Sequence, residues 1–299
     1  MGISPSNRWR RGPGALLFLL PALTLLAVFV VWPILRAVVW SVQDVDLLRP
    51  GHAAWSGAGN YSDLLRDPRF RQAFANTALF SVMVVPLQTV AALFLALLVN
   101  RPRSYWRWLR GAFFVPVVIS MPVLAVLWTM LYQPARDAQT GLINAVMQTL
   151  HLPPQNWLGD PHLALPAIAF MSIWQGVGFQ MMIFLAGLQH VSSEQLEAAK
   201  IDGAGAWGRL VHVILPGLRN SIIFAVIVTT ILAFRLFVQP YLMTKGGPDD
   251  STLSIIQWIY QTTFLQHDLG RACAAAVGFL LILGILLAIQ RLSTREEMA

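Results

Sequence analysis

Trp174, Gln175 and Gln180 in one apolar stretch, with Arg235 and Gln239 in another, are the side chains of this sequence best suited to handling a polar solute without reacting with it. An indole offers a flat face for stacking, and each amide offers two donors and an acceptor for hydroxyl groups. Arg235 and Gln239 stand at i and i+4, which on an unbroken helix puts them on one face, where both can bond a hydroxylated solute. A charge among apolar residues should face protein or water, so Arg235 has a second reading: pairing with an acid or with backbone carbonyls at a subunit interface. Gln175 and Gln180 are five positions apart, about 140° around a helix, so at least one of them is expected to tie helices together. Trp128 and Tyr132 either line a vestibule or, more economically, belong to an interfacial aromatic belt.

Reactive chemistry has no comparable support. A phosphate-binding loop ends in Gly-Lys-Ser or Gly-Lys-Thr, because backbone amides and the lysine cradle phosphate. The two lysines, Lys200 and Lys245, follow Ala199 and Thr244, so the chain carries no such loop. The six histidines are scattered without a His-Glu-x-x-His pair, and the single cysteine, Cys273, lies in an apolar run as a packing residue. No catalytic residue, metal site or cofactor is expected within the chain.

The elements that must position these side chains are set by composition. Of the 299 residues 56% are hydrophobic and 12% charged, against roughly 25% charged in soluble domains. A helix needs about 20 apolar residues to cross a bilayer, and six runs of that order are present: Gly14 to Val42, Phe74 to Val99, Leu109 to Tyr132, Ala164 to Leu188, Ser221 to Met243 and Ala272 to Gln290. The fold class expected is all-α integral membrane, with six transmembrane helices. Residues 1–13 form an N-terminal segment, 14–290 the membrane domain and 291–299 a tail. The first run follows Arg8, Arg10 and Arg11 but exceeds a signal-peptide core in length, so it is read as a retained span. Pro33, Pro86, Pro116, Pro122, Pro166 and Pro240 are expected to kink, start or end helices.

Lys and Arg in the loops orient the chain. With the N-terminus inside, the inner segments hold twelve of the 21 Lys and Arg and the outer loops seven, while nine of the 14 acids fall outside. Both termini of this multi-pass chain are therefore expected on the cytoplasmic side of the membrane. The basic balance reports topology and implies no nucleic-acid partner.

That orientation places "EAAKIDGAGAWGRLVHVILP", residues 197–216, in a cytoplasmic loop (about 190–218) between spans four and five. Ser192 and Gln195 have the spacing of a capping box, so a helix should begin there. Asp202-Gly203 supplies a turn before a second short helix ending near Pro216. Ala198, Ala199, Gly203 and Ala204 have so little bulk that another protein can approach the backbone closely; a plain helical loop is the alternative. The outer segments 43–73 and 133–163 contain amphipathic pieces such as Gly141 to Leu152, suited to the membrane surface or to a docked partner.

Glu197-Ala198-Ala199, three further residues, Gly203, nine more, then Val213-Ile214-Leu215-Pro216 resembles the E-A-A loop of permease subunits of binding-protein-dependent ABC importers. "GNYSDLLRDPRFRQAFANT", "GLINAVM", "WLGDPHLALPAIAFMSIWQGVGFQMMIFLAGLQ", "KGGPDDST" and "HDLGRACAAAVGFLL" are similar to the carbohydrate-uptake branch, over roughly residues 58–290. In that family the loop forms coupling helices that dock on an ATPase. The resemblance implies that Glu197, Ala198, Ala199, Asp202 and Gly203 couple this chain to two ATPase subunits. It further implies a second related permease subunit, an extracytoplasmic solute-binding protein and uptake of a sugar or oligosaccharide. The family often carries Arg at the position of Arg235. Two departures, Thr244-Lys245-Gly246-Gly247-Pro248 for the usual Thr-Gly-Gly-Gly-Pro and Val238 at a usually acidic position, leave the solute open, with glycerol 3-phosphate or a related phosphodiester as the rival. An ion-coupled secondary transporter commonly has intramembrane carboxylates, and no Asp or Glu lies centrally in any of the six runs. That counts against proton coupling and leaves sodium coupling by backbone carbonyls open. An intramembrane enzyme would want a nucleophile and base.

Overall fold

The computed structural model describes residues 13–49, 51, 53–101, 104–134 and 140–295. Arg8, Arg10, Arg11, Arg103 and Arg136, on which part of the charge reading rests, lie outside the described residues, as do 296–299. The first apolar run is α1 (Pro13–Leu26), a π-helical turn (Ala27–Val31) and α2 (Trp32–Trp40). Pro33 stands in the first turn of α2. Because it has no N–H to continue the ladder, the turn before it widens. Between Phe18 and Trp40 none of the span is buried within the chain.

A two-stranded antiparallel hairpin, β1 (Gln43–Asp44) and β2 (Ala54–Trp55), leads to the short α3 (Gly59–Arg66) and the long α4 (Pro68–Val99). The Asp67 carboxylate caps α4 by accepting from the amides of Arg69 at 2.8 Å and Phe70 at 3.2 Å, with Pro68 at the position where a missing N–H costs nothing.

Two expected spans are not straight. The run 109–132 divides into α5 (Ser104–Val118) and α6 (Met121–Leu131), bent by 99° to one another. Ser120 is extended and Pro122 stands in the first turn of α6, where its missing N–H costs nothing, whereas Pro86 and Pro116 stay inside α4 and α5. α7 (Leu142–Thr149) follows, held by the buried Asn144, which donates to the carbonyls of Gln133 and Gln155 and accepts from the Trp157 indole. α8 (Ala164–Leu188) is the most buried span. The loop beyond it holds α9 (Ser193–Ile201), α10 (Ala206–Arg209), a second π-helical turn (Leu210–Ile214) and α11 (Leu215–Gly217). The fifth run is α12 (Arg219–Phe234) and α13 (Val238–Met243), interrupted at Arg235–Phe237. Pro240 explains the break, since its ring would collide with the carbonyl four residues earlier and it cannot donate to it. α14 (Ile255–Phe264) precedes α15 (Leu269–Arg295), which stays helical five residues into the expected tail.

The described residues thus contain five helices long and apolar enough to cross a membrane, and six crossings if the α5–α6 pair counts as one. α4 and α8 form the centre, with Phe80, Val84, Leu124, Ile168 and Met171 in one cluster and Ala92, Met181 and Phe184 in another. Trp128 and Tyr132 belong to the first cluster, buried to 6% and 3% exposure, and the Tyr132 hydroxyl donates to the Ala167 carbonyl at 2.9 Å. They are neither vestibule nor belt: the 99° bend lays α6 against α13, and the aromatic rings fill the corner towards Phe170 and Trp174 of α8.

Candidate functional site

The break in the fifth span opens a cavity of about 400 Å³. Gln88 reaches it from α4, Ser172 and Gln175 from α8, Thr229 from α12, Arg235 from the break and Gln239 from α13, with Phe80, Val84 and Met121 as apolar wall. A Cβ at position 176 would come within 2.8 Å of the Gln88 amide, so Gly176 is what lets that amide lie against α8. The Gln239 amide donates to the Ser172 hydroxyl at 3.5 Å, and that hydroxyl donates to the Ile168 carbonyl at 2.8 Å. A contact as long as 3.5 Å is weak, and a solute hydroxyl can replace it. The Arg235 backbone N–H closes α12 on the carbonyls of Ile231 and Leu232, while its exposed guanidinium forms no ion pair among the described residues. No carboxylate lines this cavity.

Arg235 and Gln239 do not share a helix face as their spacing suggested. The helix stops at Phe234 and resumes at Val238, and the two side chains reach one cavity through the break. The three residues singled out in the fourth span are dispersed. Gln175 lines the cavity. Gln180 is fully buried and donates to the Thr89 hydroxyl at 2.9 Å, tying α8 to α4. Trp174 packs edge-on against Trp128, ring centroids 5.4 Å apart, and borders a separate apolar groove with Phe170 and Val177. It offers no stacking face to the cavity. Gln88, Ser172 and Thr229 are lining residues that the sequence reading passed over. A solitary amide such as Gln88 in an apolar run was the available signal, because a polar group there must find protein or water.

The loop after α8 has a different character. The Ser192 hydroxyl accepts from the Gln195 amide at 3.3 Å and starts α9. Asp202 caps its end, Gly203 has φ +80°, and the Ala204 amide returns to the Ala199 carbonyl at 2.9 Å. A residue with a Cβ is strained at that φ, so the turn that reverses the chain depends on glycine. The second helix ends near Pro216, as expected. It passes through the π-helical turn and α11 to Gly217, with Pro216 in the first turn of α11, where a proline starts a helix. No residue of α9, α10 or α11 is buried. Glu197, Ala198, Asp202 and Gly203 are exposed and Ala199 half-buried, beside Ile201 and Trp207 at 86% and 75% exposure. Large apolar side chains flanking small residues make a surface suited to being covered.

Residues 88–295 match the family described as the inner membrane component of binding-protein-dependent transport systems. The chain belongs to that family. The permease is 35% identical over 270 residues to a probable ABC transporter permease protein of Bacillus subtilis (strain 168), covering 89% of this chain and 90% of that one. It is 34% identical over 287 residues to the lactose transport system permease protein of Rhizobium radiobacter, covering 94% of each. It is 32% identical over 248 residues to the trehalose/maltose transport system permease protein of Thermococcus litoralis (strain ATCC 51850 / DSM 5473 / JCM 8560 / NS-C), covering 83% and 82%. A chain of a bacterial ABC transporter that imports the acidic polysaccharide alginate has the same fold, with TM-score 0.81 at 20% identity over 94% of the permease and 95% of that chain. The matched residues include every polar group of the cavity and the whole loop after α8. The permease is therefore a multi-pass membrane subunit of a transport system.

Proposed function

We propose that the permease is the transmembrane subunit of an ATP-driven importer for a sugar or oligosaccharide in a prokaryotic plasma membrane. The observation that carries the cargo reading is the composition of the cavity: three amides, two hydroxyls, one guanidinium and no carboxylate. Amides and hydroxyls match a neutral polyhydroxylated solute, donor for acceptor. A phosphodiester would want more than one cation, and Arg235 is alone there. The lactose and trehalose/maltose systems among the relatives favour the same class.

Its partners follow from what the chain leaves uncovered. A first span with none of its residues buried supports a second, related permease subunit alongside it. The exposed loop of Glu197, Ala198, Ala199, Asp202 and Gly203, together with Ile201 and Trp207, supports two ATPase subunits that bring the ATP and Mg this chain has no motif to hold. With the basic loops inside, both termini and this loop are cytoplasmic, and a solute-binding protein delivers cargo at the opposite end. Closure of the ATPases on ATP moves the loop, and the bundle shifts between outward- and inward-open states that bind the partners differently. The interruption at Arg235–Phe237 puts irregular backbone and polar side chains at the cavity, where such backbone is tolerated because it lines a cavity inside the protein.

The test is uptake of labelled di- and oligosaccharides into proteoliposomes containing the assembled transporter, with ATP inside. Sugar-dependent, ATP-dependent uptake is expected, and Gln175→Ala or Gln239→Ala should raise its KM about fivefold, the worth of one neutral hydrogen bond. Uptake driven by an ion gradient without ATP would mean secondary transport. Competition by glycerol 3-phosphate but not by sugars would transfer the cargo to the phosphodiester class.

A further inference from the structure

A second cavity, of about 340 Å³, lies at the bundle end opposite the 189–218 loop, between α3, the first turns of α4 and α15. Leu64, Phe70, Phe74, Phe279 and Ile282 make an almost wholly apolar wall, and the exposed Arg71 is its one charged lining residue. Ala274, Gly278 and Ile282 recur every four residues on one face of α15, so the groove runs about 12 Å along that helix, from its first turns towards the membrane interior. A Cβ built at Gly278 meets nothing within 4 Å, so the space beyond it is open.

The charge at the groove decides its occupant. Arg69 is held by Asp250 through two hydrogen bonds of 2.8 and 2.9 Å, and Arg271 by Asp268 at 2.8 Å. Asp67 is engaged by the first-turn amides of α4. Arg71 forms no ion pair among the described residues. An apolar groove that descends from an unpaired cation near a helix start matches a molecule with an anionic head and an apolar tail. A transmembrane helix of another subunit would fill the apolar part and leave the guanidinium without a partner. We propose that the groove holds one acyl chain of a membrane phospholipid, with the headgroup phosphate on Arg71. The lipid braces α3 and the start of α4 against α15. This rests on the permease crossing a membrane and not on its cargo or ATPases, so either conclusion stands if the other fails.

Native mass spectrometry of the complete transporter complex, released from nanodiscs of phosphatidylethanolamine and phosphatidylglycerol, tests it. The wild type should retain one phospholipid more per copy of this chain than Gly278→Leu, whose side chain grows into the groove and whose helix propensity exceeds that of glycine. Gly278→Ala should retain the lipid. Arg71→Ala should lower the preference for phosphatidylglycerol over phosphatidylethanolamine about fivefold, as expected for one basic residue near the membrane surface. Equal lipid counts in the wild type and Gly278→Leu overturn the site. So does an Ile282→Cys cross-link to the second permease subunit, and an unchanged lipid preference in Arg71→Ala overturns the headgroup contact.

Discussion

The two ends of the bundle are held together by different means. At one end the loop 244–254 is fastened to α4. The Asn76 amide donates to the carbonyls of Asp250 at 2.7 Å and Leu253 at 3.0 Å, the Thr77 hydroxyl accepts from the Ile255 amide at 3.0 Å, and Arg69 forks onto Asp250. Thr244 and Thr252 share a hydrogen bond of 2.7 Å inside the loop. At the other end, residues 193–217 contain no buried side chain and are shaped by a serine cap and a glycine turn of purely local reach. The first end spends its hydrogen-bonding groups on its own chain. The second keeps its side chains free for other chains, and that is the physical meaning of a docking surface: local order without internal cover.

Substitutions at the two ends should separate these roles. Gly203→Phe forces a Cβ-bearing residue into φ +80° and blocks close approach. Uptake should fall at least about a hundredfold, the conformational cost adding to the lost fit, while the spans still insert and the chain still purifies with its partners. Normal uptake by that variant would remove the coupling role from the loop. Asn76→Ala strands two backbone carbonyls at the other end, and the leaving of buried acceptors unpaired should destabilise the fold by about 2 kcal/mol, roughly thirtyfold in the folding equilibrium, read from thermal unfolding in detergent. Ile201→Asp should leave that unfolding unchanged and weaken ATPase association about tenfold, since one buried aliphatic side chain is at stake. An unfolding shift comparable with that of Asn76→Ala would show that the loop is braced internally after all. The smallest effect belongs to Arg69→Ala. Its pair with Asp250 is 46% and 35% exposed, and a pair so solvated should contribute less than about 1 kcal/mol.

Much of the architecture is legible in the sequence. Apolar runs of bilayer length marked the spans, and the Ser192 cap and the Gly203 turn are local chemistry, readable from a few adjacent residues. The bends were harder to read. Pro122 and Pro240 were visible as helix breakers, but whether a proline kinks a span or folds it through 99° depends on what the freed segment can pack against, here α13 and the aromatic rings of α8. The cavity was legible only in part for the same reason. Gln175, Gln180 and Trp174 sit within seven positions, yet their directions around α8 send one to the cavity, one to Thr89 and one to Trp128. Gln88, Ser172 and Thr229, which complete the polar lining, belong to no motif, and a lone amide in an apolar run was the one signal available.

By itself the sequence determined how many apolar runs the chain has and where the local caps and turns fall, because each of these depends on composition or on neighbours within a few residues. The E-A-A resemblance, likewise a matter of residue order, was enough to point to the family. Tertiary structure alone decided which polar side chains meet. A helix face is fixed by spacing only while the helix continues, and at Arg235–Phe237 it does not, so Arg235 and Gln239 come together through a break whose position depends on Pro240 and whose shape depends on the helices packed around it.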